Sequence, residues 1–168
     1  DGLAGLSPGQ FDFIEIDPPY GIDLDKMVSK SSGMYYQDVA DEAYPAFLCR
    51  LLDMCIPLMK EDSWLVLWQP PQRLQFAFEQ LIQRGLVGRN IPLVWNRMNG
   101  NTLNPSAYFP HAYETALYLK KGSARLHDRG IPDVLTCPTP PPNRRIHSAE
   151  RPLSMMQTVV RCFCPPGG

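Results

Sequence analysis

A chain of 168 residues with 44% hydrophobic and 20% charged residues has the composition of one globular domain built on a single core, and two domains would be cramped in it. Its formal net charge of −1 supplies no global positive field, so a polyanion would have to be met by local basic patches. No apolar run reaches the roughly 18 residues of a membrane-spanning helix and no basic-then-apolar leader opens the chain, while an odd set of five cysteines without a Cys-x-x-Cys pair argues against a disulfide framework and fits a reducing cytoplasm.

The first predicted element is a strand from Phe11 to Ile16, ended abruptly by Asp17-Pro18-Pro19-Tyr20 because consecutive prolines cannot donate ladder hydrogen bonds. Residues 21–41 mix Asp, Lys, Ser and Gly with few periodic apolar positions, which predicts a long lid-like loop around Lys30-Ser31-Ser32-Gly33. Phe47, Leu48, Leu51, Leu52, Cys55, Leu58 and Met59 keep the spacing of an amphipathic helix, with Pro45 in its first turn and Pro57 at its end. Ser63 to Trp68 is continuous and apolar enough for a strand buried on both faces, again closed by prolines, Pro70 and Pro71. A second helix is expected from about Gln72 to Arg84, with Gly85 as its C-terminal cap. This strand, helix, strand, helix alternation predicts parallel strands joined by crossovers.

Further along, Ile91 to Trp95 and Tyr113 to Leu119 read as strands able to pair antiparallel, with Pro92 demoting the first to an edge or a bulge. Residues 122–145 are rich in proline and arginine and predict disorder or an extended excursion. Met155, Met156, Val159, Val160 and Phe163 outline a last helix starting at Pro152. Trp64, Trp68 and Trp95 are expected as core or sheet-face aromatics. Cys162 and Cys164 lack matching ligand spacing, so structural thiols are expected there and no metal site is assigned.

The corner after the first strand carries the chemistry. Asp17 emerges at a strand's carboxyl end, where open α/β sheets place their ligands. Pro18 and Pro19 offer carbonyl acceptors with no competing amide hydrogens, and Tyr20 adds a flat ring with a polar tip. A planar ring bearing an exocyclic amine suits this corner. It can stack on Tyr20 while the Asp17 carboxylate and the Pro18 carbonyl accept its amine hydrogens. On composition alone an acidic Pro-turn leaving a strand is an equal reading.

Asp17-Pro18-Pro19-Tyr20 after an apolar strand resembles the catalytic signature of amino-group DNA methyltransferases. The order of the later segments adds to this: Ser63 to Trp68, Val94-Trp95-Asn96-Arg97, Tyr113 to Leu119, then His147-Ser148-Ala149-Glu150-Arg151-Pro152-Leu153. This order is similar to that of the β class, in which the catalytic corner precedes the cofactor-binding segments, and Asp1-Gly2-Leu3-Ala4-Gly5-Leu6 resembles the acidic segment ahead of the catalytic strand. The resemblance implies an α/β fold, a partial Rossmann-like methyltransferase sheet mixed with a C-terminal antiparallel strand pair. It implies S-adenosyl-L-methionine as cofactor and DNA as partner. By motif position it assigns Asp17, Pro18, Pro19 and Tyr20 to catalysis, and Asp1, Asp17, His147 and Arg151 to the cofactor. An Asp at the first motif position resembles the adenine-N6 subgroup more than the cytosine-N4 one.

One departure is plain: the family's glycine-rich cofactor loop, an Asp-Pro-Phe-x-Gly-x-Gly pattern, occurs nowhere in the chain. Residues 1–168 therefore read as a single, truncated methyltransferase domain, the half that holds the target base. Isolated in this form it is expected to be inactive, with an unpaired edge on its catalytic strand that could support a homodimer. The runner-up is a degenerate, non-catalytic DNA-binding or interaction module of the same fold. An RNA or protein methyltransferase ranks third, since those families usually place the cofactor loop before the corner. Arg151 also has an argument of its own. A cation opening a helix beside Pro152 runs against the helix dipole and calls for an anion nearby. Lys120, Lys121, Arg125, Arg129, Arg144 and Arg145 are candidates for phosphate contacts, or for an ordinary solvated face.

Overall fold

The structure, a computed structural model, describes residues 5–20, 40–102, 104–141, 143 and 150–168. The lid-like loop predicted over residues 21–41 lies almost wholly outside the described residues, as do Arg144 and Arg145.

The strand β1 (Phe11–Ile16) runs parallel to β2 (Met59–Gln69) and is joined to it through a connection that contains helix α1 (Tyr44–Cys55). Pro45 sits in the first turn of α1, and Pro57 falls in the short 3-10 turn Ile56–Leu58 that follows it. Helix α2 (Leu74–Gln83) comes next, and Gly85, at φ +83°, takes the left-handed position past its end that a side chain would resist. The short β3 (Val87–Gly88), then β4 (Leu93–Asn101), β5 (His111–Lys120) and β6 (Val134–Thr136) complete the sheet, and α3 (Leu153–Phe163) closes the chain. The strand order is β1-β2-β5-β4-β6, with β3 also pairing β5. Neighbours β1 and β2 are parallel, as are β4 and β6, whereas β5 is antiparallel to β2, β3 and β4. The parallel crossover and the antiparallel β4–β5 pair are those expected from the sequence.

Helices cover both faces, and β2 shows why. Its alternation sends Leu65 and Leu67 toward α1 and α2, where Tyr44, Leu48, Leu52, Ala77 and Leu81 are fully buried. Trp64, Val66 and Trp68 point the other way, into a cluster with Trp95, Met155, Val159 and Phe163 of the α3 side. The tryptophans are thus sheet-face core, as expected. Continuing the same alternation along β1 puts Ile14 and Ile16 on the α1–α2 side and Phe13 on the α3 side, stacked on Phe163 at 6.0 Å.

Three expectations are corrected. β2 begins at Met59, not Ser63, because a bulge takes up the extra residues: Phe11 pairs with Met59 but Phe13 already pairs with Trp64, and Asp62 turns at φ 60°. β4 is neither an edge nor bulged by Pro92, because Pro92 stands ahead of the strand and its missing N–H is not asked of the ladder. Its outer neighbour is β6, which lies inside the stretch predicted to be irregular. There Val94 N–H donates to the Asp133 carbonyl at 2.7 Å, and Cys137 N–H to the Asn96 carbonyl at 3.1 Å. Much of this stretch is packed, since Ala124 is buried and the indole N–H groups of Trp64 and Trp95 donate to the carbonyls of Arg125 and Cys137. All five cysteines are unpaired. Among the described residues β1 pairs on one side only, no group of His, Cys, Asp and Glu could hold a metal ion, and no helix is long and apolar enough to cross a membrane.

Candidate active site

The carboxyl ends of β1 and β2 define one rim of the sheet. Because β5 runs antiparallel to β2, its beginning lies at that same rim, with Gln69 opposite Thr115, and β4 brings Asn96 there opposite Tyr113. Strand alternation chooses what faces α3. Trp95 and Glu114 are direct cross-strand partners, and Ala116 and Trp68 lie on that same face. The chain leaving β1 contributes Asp17 and Tyr20, and the residue ahead of Pro152 at the start of α3 contributes Arg151.

These residues form one connected network. The Tyr20 hydroxyl donates to Asp17 Oδ1 at 2.6 Å. Arg151 donates through Nη1 to Asp17 Oδ2 at 2.5 Å, and through Nη2 to Glu114 Oε2 at 3.1 Å and to the Tyr20 hydroxyl at 3.3 Å. Its guanidinium lies over the Trp68 ring, 4.1 Å from the centroid. Beyond it, Arg97 Nη1 stands 3.6 Å from Glu114 Oε1, and Arg97 Nη2 donates to the His111 carbonyl at 2.6 Å. Charges alternate along Asp17, Arg151, Glu114 and Arg97. The Arg151 side chain is 10% exposed, Asp17 33% and Glu114 30%, so the cation is sunk in the protein while both carboxylates keep a face toward solvent.

The electrostatics follow from this burial. For Tyr20, desolvation first, and then the charge and hydrogen bond of Asp17, raise the phenol pKa well above the ordinary range, so the hydroxyl stays a proton donor. For Arg151, burial works against the charge. The hydrogen bond and charge of Asp17, with Tyr20 and Glu114, outweigh it, and the net shift is upward. The imidazole of His111 is shifted down by its partial burial and by Arg97.

Several solved structures share this architecture. M1.HpyAVI in complex with SAM superposes over 94% of this chain with a TM-score of 0.65 at 18% identity, and a second structure of M1.HpyAVI over 94% with a TM-score of 0.63 at 16% identity. The PvuII DNA methyltransferase, cytosine-N4-specific, superposes over 97% with a TM-score of 0.70 at 10% identity. The chain shares the fold of these structures. It spans 68%, 66% and 67% of those three chains, respectively. No family model and no curated protein sequence matches it.

On this fold the sequence-predicted residues divide clearly. Asp17, Pro18, Pro19 and Tyr20 lie at the carboxyl end of β1, with Pro18 buried and Asp17 reaching outward. Arg151 is brought to Asp17 from far along the chain, and the anion its helix position calls for is supplied by Asp17 and Glu114. Asp1 and His147 lie outside the described residues. Of the basic candidates, Lys120 pairs with Trp64 at the opposite end of the sheet, away from this rim. Lys120 and Lys121 there donate to the carbonyls of Ala124 and Met59. Sequence reasoning passed over Glu114 and read Trp68 as a core or sheet-face aromatic, with no cation against it. A signal for Glu114 was available: on β5 it shares a face with Ala116 and Tyr118, and a carboxylate next to these apolar side chains on a buried face asks for a partner.

Proposed function

We propose that this chain is the target-base half of an S-adenosyl-L-methionine-dependent DNA methyltransferase that modifies the exocyclic N6 amine of a flipped adenine. The observation that carries the reading is Asp17 and Tyr20 joined by a hydrogen bond at the strand-end rim of a DNA-methyltransferase fold. Asp17 rather than Ser at the first motif position is what favours adenine over cytosine. M1.HpyAVI was solved in complex with SAM, and the PvuII enzyme is cytosine-N4-specific.

The residues present fit the cofactor. Among the described residues Arg151 Nε is buried without a hydrogen-bond partner, a donor suited to a carboxylate, and Asp17 retains lone pairs for an ammonium or an amine. When bound, S-adenosyl-L-methionine supplies a methyl group already activated by its sulfonium, so positioning is most of the catalytic task left to the protein. Asp17 and the Pro18 carbonyl accept the hydrogens of the amine, which turns its lone pair out of ring conjugation and toward the methyl. The same acceptors stabilise the positive charge that develops on nitrogen. Tyr20, kept protonated, holds Asp17 by its hydroxyl and offers its ring to the extruded base. Flipping costs a few kcal/mol, and stacking worth about 1–3 kcal/mol offsets much of it.

The test is transfer of labelled methyl groups to DNA by the full gene product that contains residues 1–168. Asp17→Ala is expected to abolish transfer, and Tyr20→Ala to weaken it more than Tyr20→Phe or Tyr20→Trp. Equal activity across these variants refutes the roles assigned.

A further inference from the structure

The mechanism just described asks Asp17 to stabilise a developing cation, yet Asp17 is already held by a buried one. Arg151 Nη1 lies 2.5 Å from Asp17 Oδ2, and two like charges on one carboxylate oppose each other. Arg151 cannot simply leave for water, because its side chain is 10% exposed and its guanidinium is stacked on the fully buried Trp68. A second acceptor is within reach on the same stack: Glu114 Oε2, at 3.1 Å from Nη2. Glu114 is itself held in orientation, with Oε1 turned to Arg97 and Arg97 anchored on the His111 carbonyl. Its other oxygen is thereby left to Arg151.

We propose that Glu114 is a positioning residue that draws Arg151 off Asp17 when the substrate amine arrives, sliding the guanidinium across the face of Trp68 and freeing Asp17 for the amine hydrogens. The inference rests on the reading of Asp17 as the amine acceptor. Glu114 touches neither the base nor the cofactor in this scheme; it acts through Arg151. The contact between Arg151 and Asp17 belongs to the resting site, and the contact between Arg151 and Glu114 persists in both positions.

The test is a set of variants of the full gene product, with kcat and KM for DNA methylation measured separately and folding checked by thermal unfolding. Glu114→Gln removes the charge that competes for Arg151, so kcat is expected to fall roughly 10- to 100-fold while KM for the cofactor moves little. Glu114→Asp keeps the charge and is expected to retain most of kcat. The decisive variant is the double substitution. Arg151→Met in the Glu114→Gln background removes the cation that Glu114 can no longer hold, and is expected to recover kcat above that of Glu114→Gln alone, whatever it does to KM. A readout without turnover is the Arg151 side-chain nitrogen resonance on addition of deoxyadenosine, expected to shift in the wild type and not in Glu114→Gln. Wild-type kcat in Glu114→Gln, or a double variant no faster than Glu114→Gln, overturns the inference. If Asp17→Ala methylates as the wild type does, the functional reading itself falls. Should Glu114→Gln unfold, the wild type and Glu114→Asp decide the matter: a resonance shift on deoxyadenosine in both, with most of kcat kept in Glu114→Asp, supports the inference, and no shift in the wild type overturns it.

Discussion

Replacing Arg151 with Met removes a cation without removing bulk, and its cost can be worked from the geometry. The guanidinium makes hydrogen bonds to two carboxylates, each worth about 1.5–3 kcal/mol, and a desolvated contact with the Trp68 face worth up to about 2 kcal/mol. Part of this is recovered in the variant. Asp17 and Glu114 are 33% and 30% exposed and can be hydrated, and a thioether packs well on an indole for about 0.3–1.5 kcal/mol. A net loss of about 2–3 kcal/mol is expected, which for a domain of this size lowers Tm by about 4–12 °C and leaves it folded. Urea denaturation of wild type, Arg151→Met, Glu114→Gln and the double variant closes a cycle, with a coupling of about 1 kcal/mol or more expected between neighbours that share a charge. A loss below about 0.5 kcal/mol for Arg151→Met, or additivity in the cycle, would show that the guanidinium is not held as described.

Other perturbations test the frame around the site. Leu48→Ala, at a fully buried position of α1 against the sheet, is expected to cost about 2–5 kcal/mol, read from the urea midpoint. Gly88→Ala introduces a methyl 2.7 Å from Leu119 Cγ and 3.1 Å from the Tyr118 carbonyl oxygen, and the strand must shift at a cost of about 1–3 kcal/mol, seen as a lower Tm. His111 titrates below its ordinary value of 6.5 because burial and Arg97 oppose its charge. The unfolded chain then binds the proton more readily, so stability is level above about pH 6.5 and declines as the pH falls through the folded-state pKa. His111→Gln is expected to flatten that acid limb of a urea-midpoint series.

The sheet's main lines could be read from local pattern. Phe11 to Ile16 ends at Pro18 and Pro19 for a reason contained in those residues, and the apolar run Trp64 to Trp68 has to be buried on both faces whatever surrounds it. The corner at Asp17 was legible on the same ground. What remained hidden depended on register. Glu114 meets Arg151 only because β5 is set antiparallel to both β2 and β4 with particular partners, and nothing local to Tyr113-Glu114-Thr115 specifies Trp95 or Gln69 as the residue opposite. β6 was missed for another reason: Val134–Thr136 is too short to show an alternation, and its bonds are made to a strand far earlier in the chain. The bulge before Trp64 likewise needs the partner strand to define it, since only the pairings of Phe11 and Phe13 set the four residues Lys60 to Ser63 against the single Asp12.

The stacking of Arg151 on Trp68 turns the site into its own optical probe. Trp64 and Trp95 are tied by their indole N–H groups to main-chain carbonyls in the far half of the chain, whereas Trp68 carries a full positive charge against its ring. An excited indole shifts its emission according to the charge beside it. With Trp64 and Trp95 changed to Phe, the colour of the remaining fluorescence would therefore follow the guanidinium directly, and each step of ligand entry could be timed in stopped flow without attaching any dye.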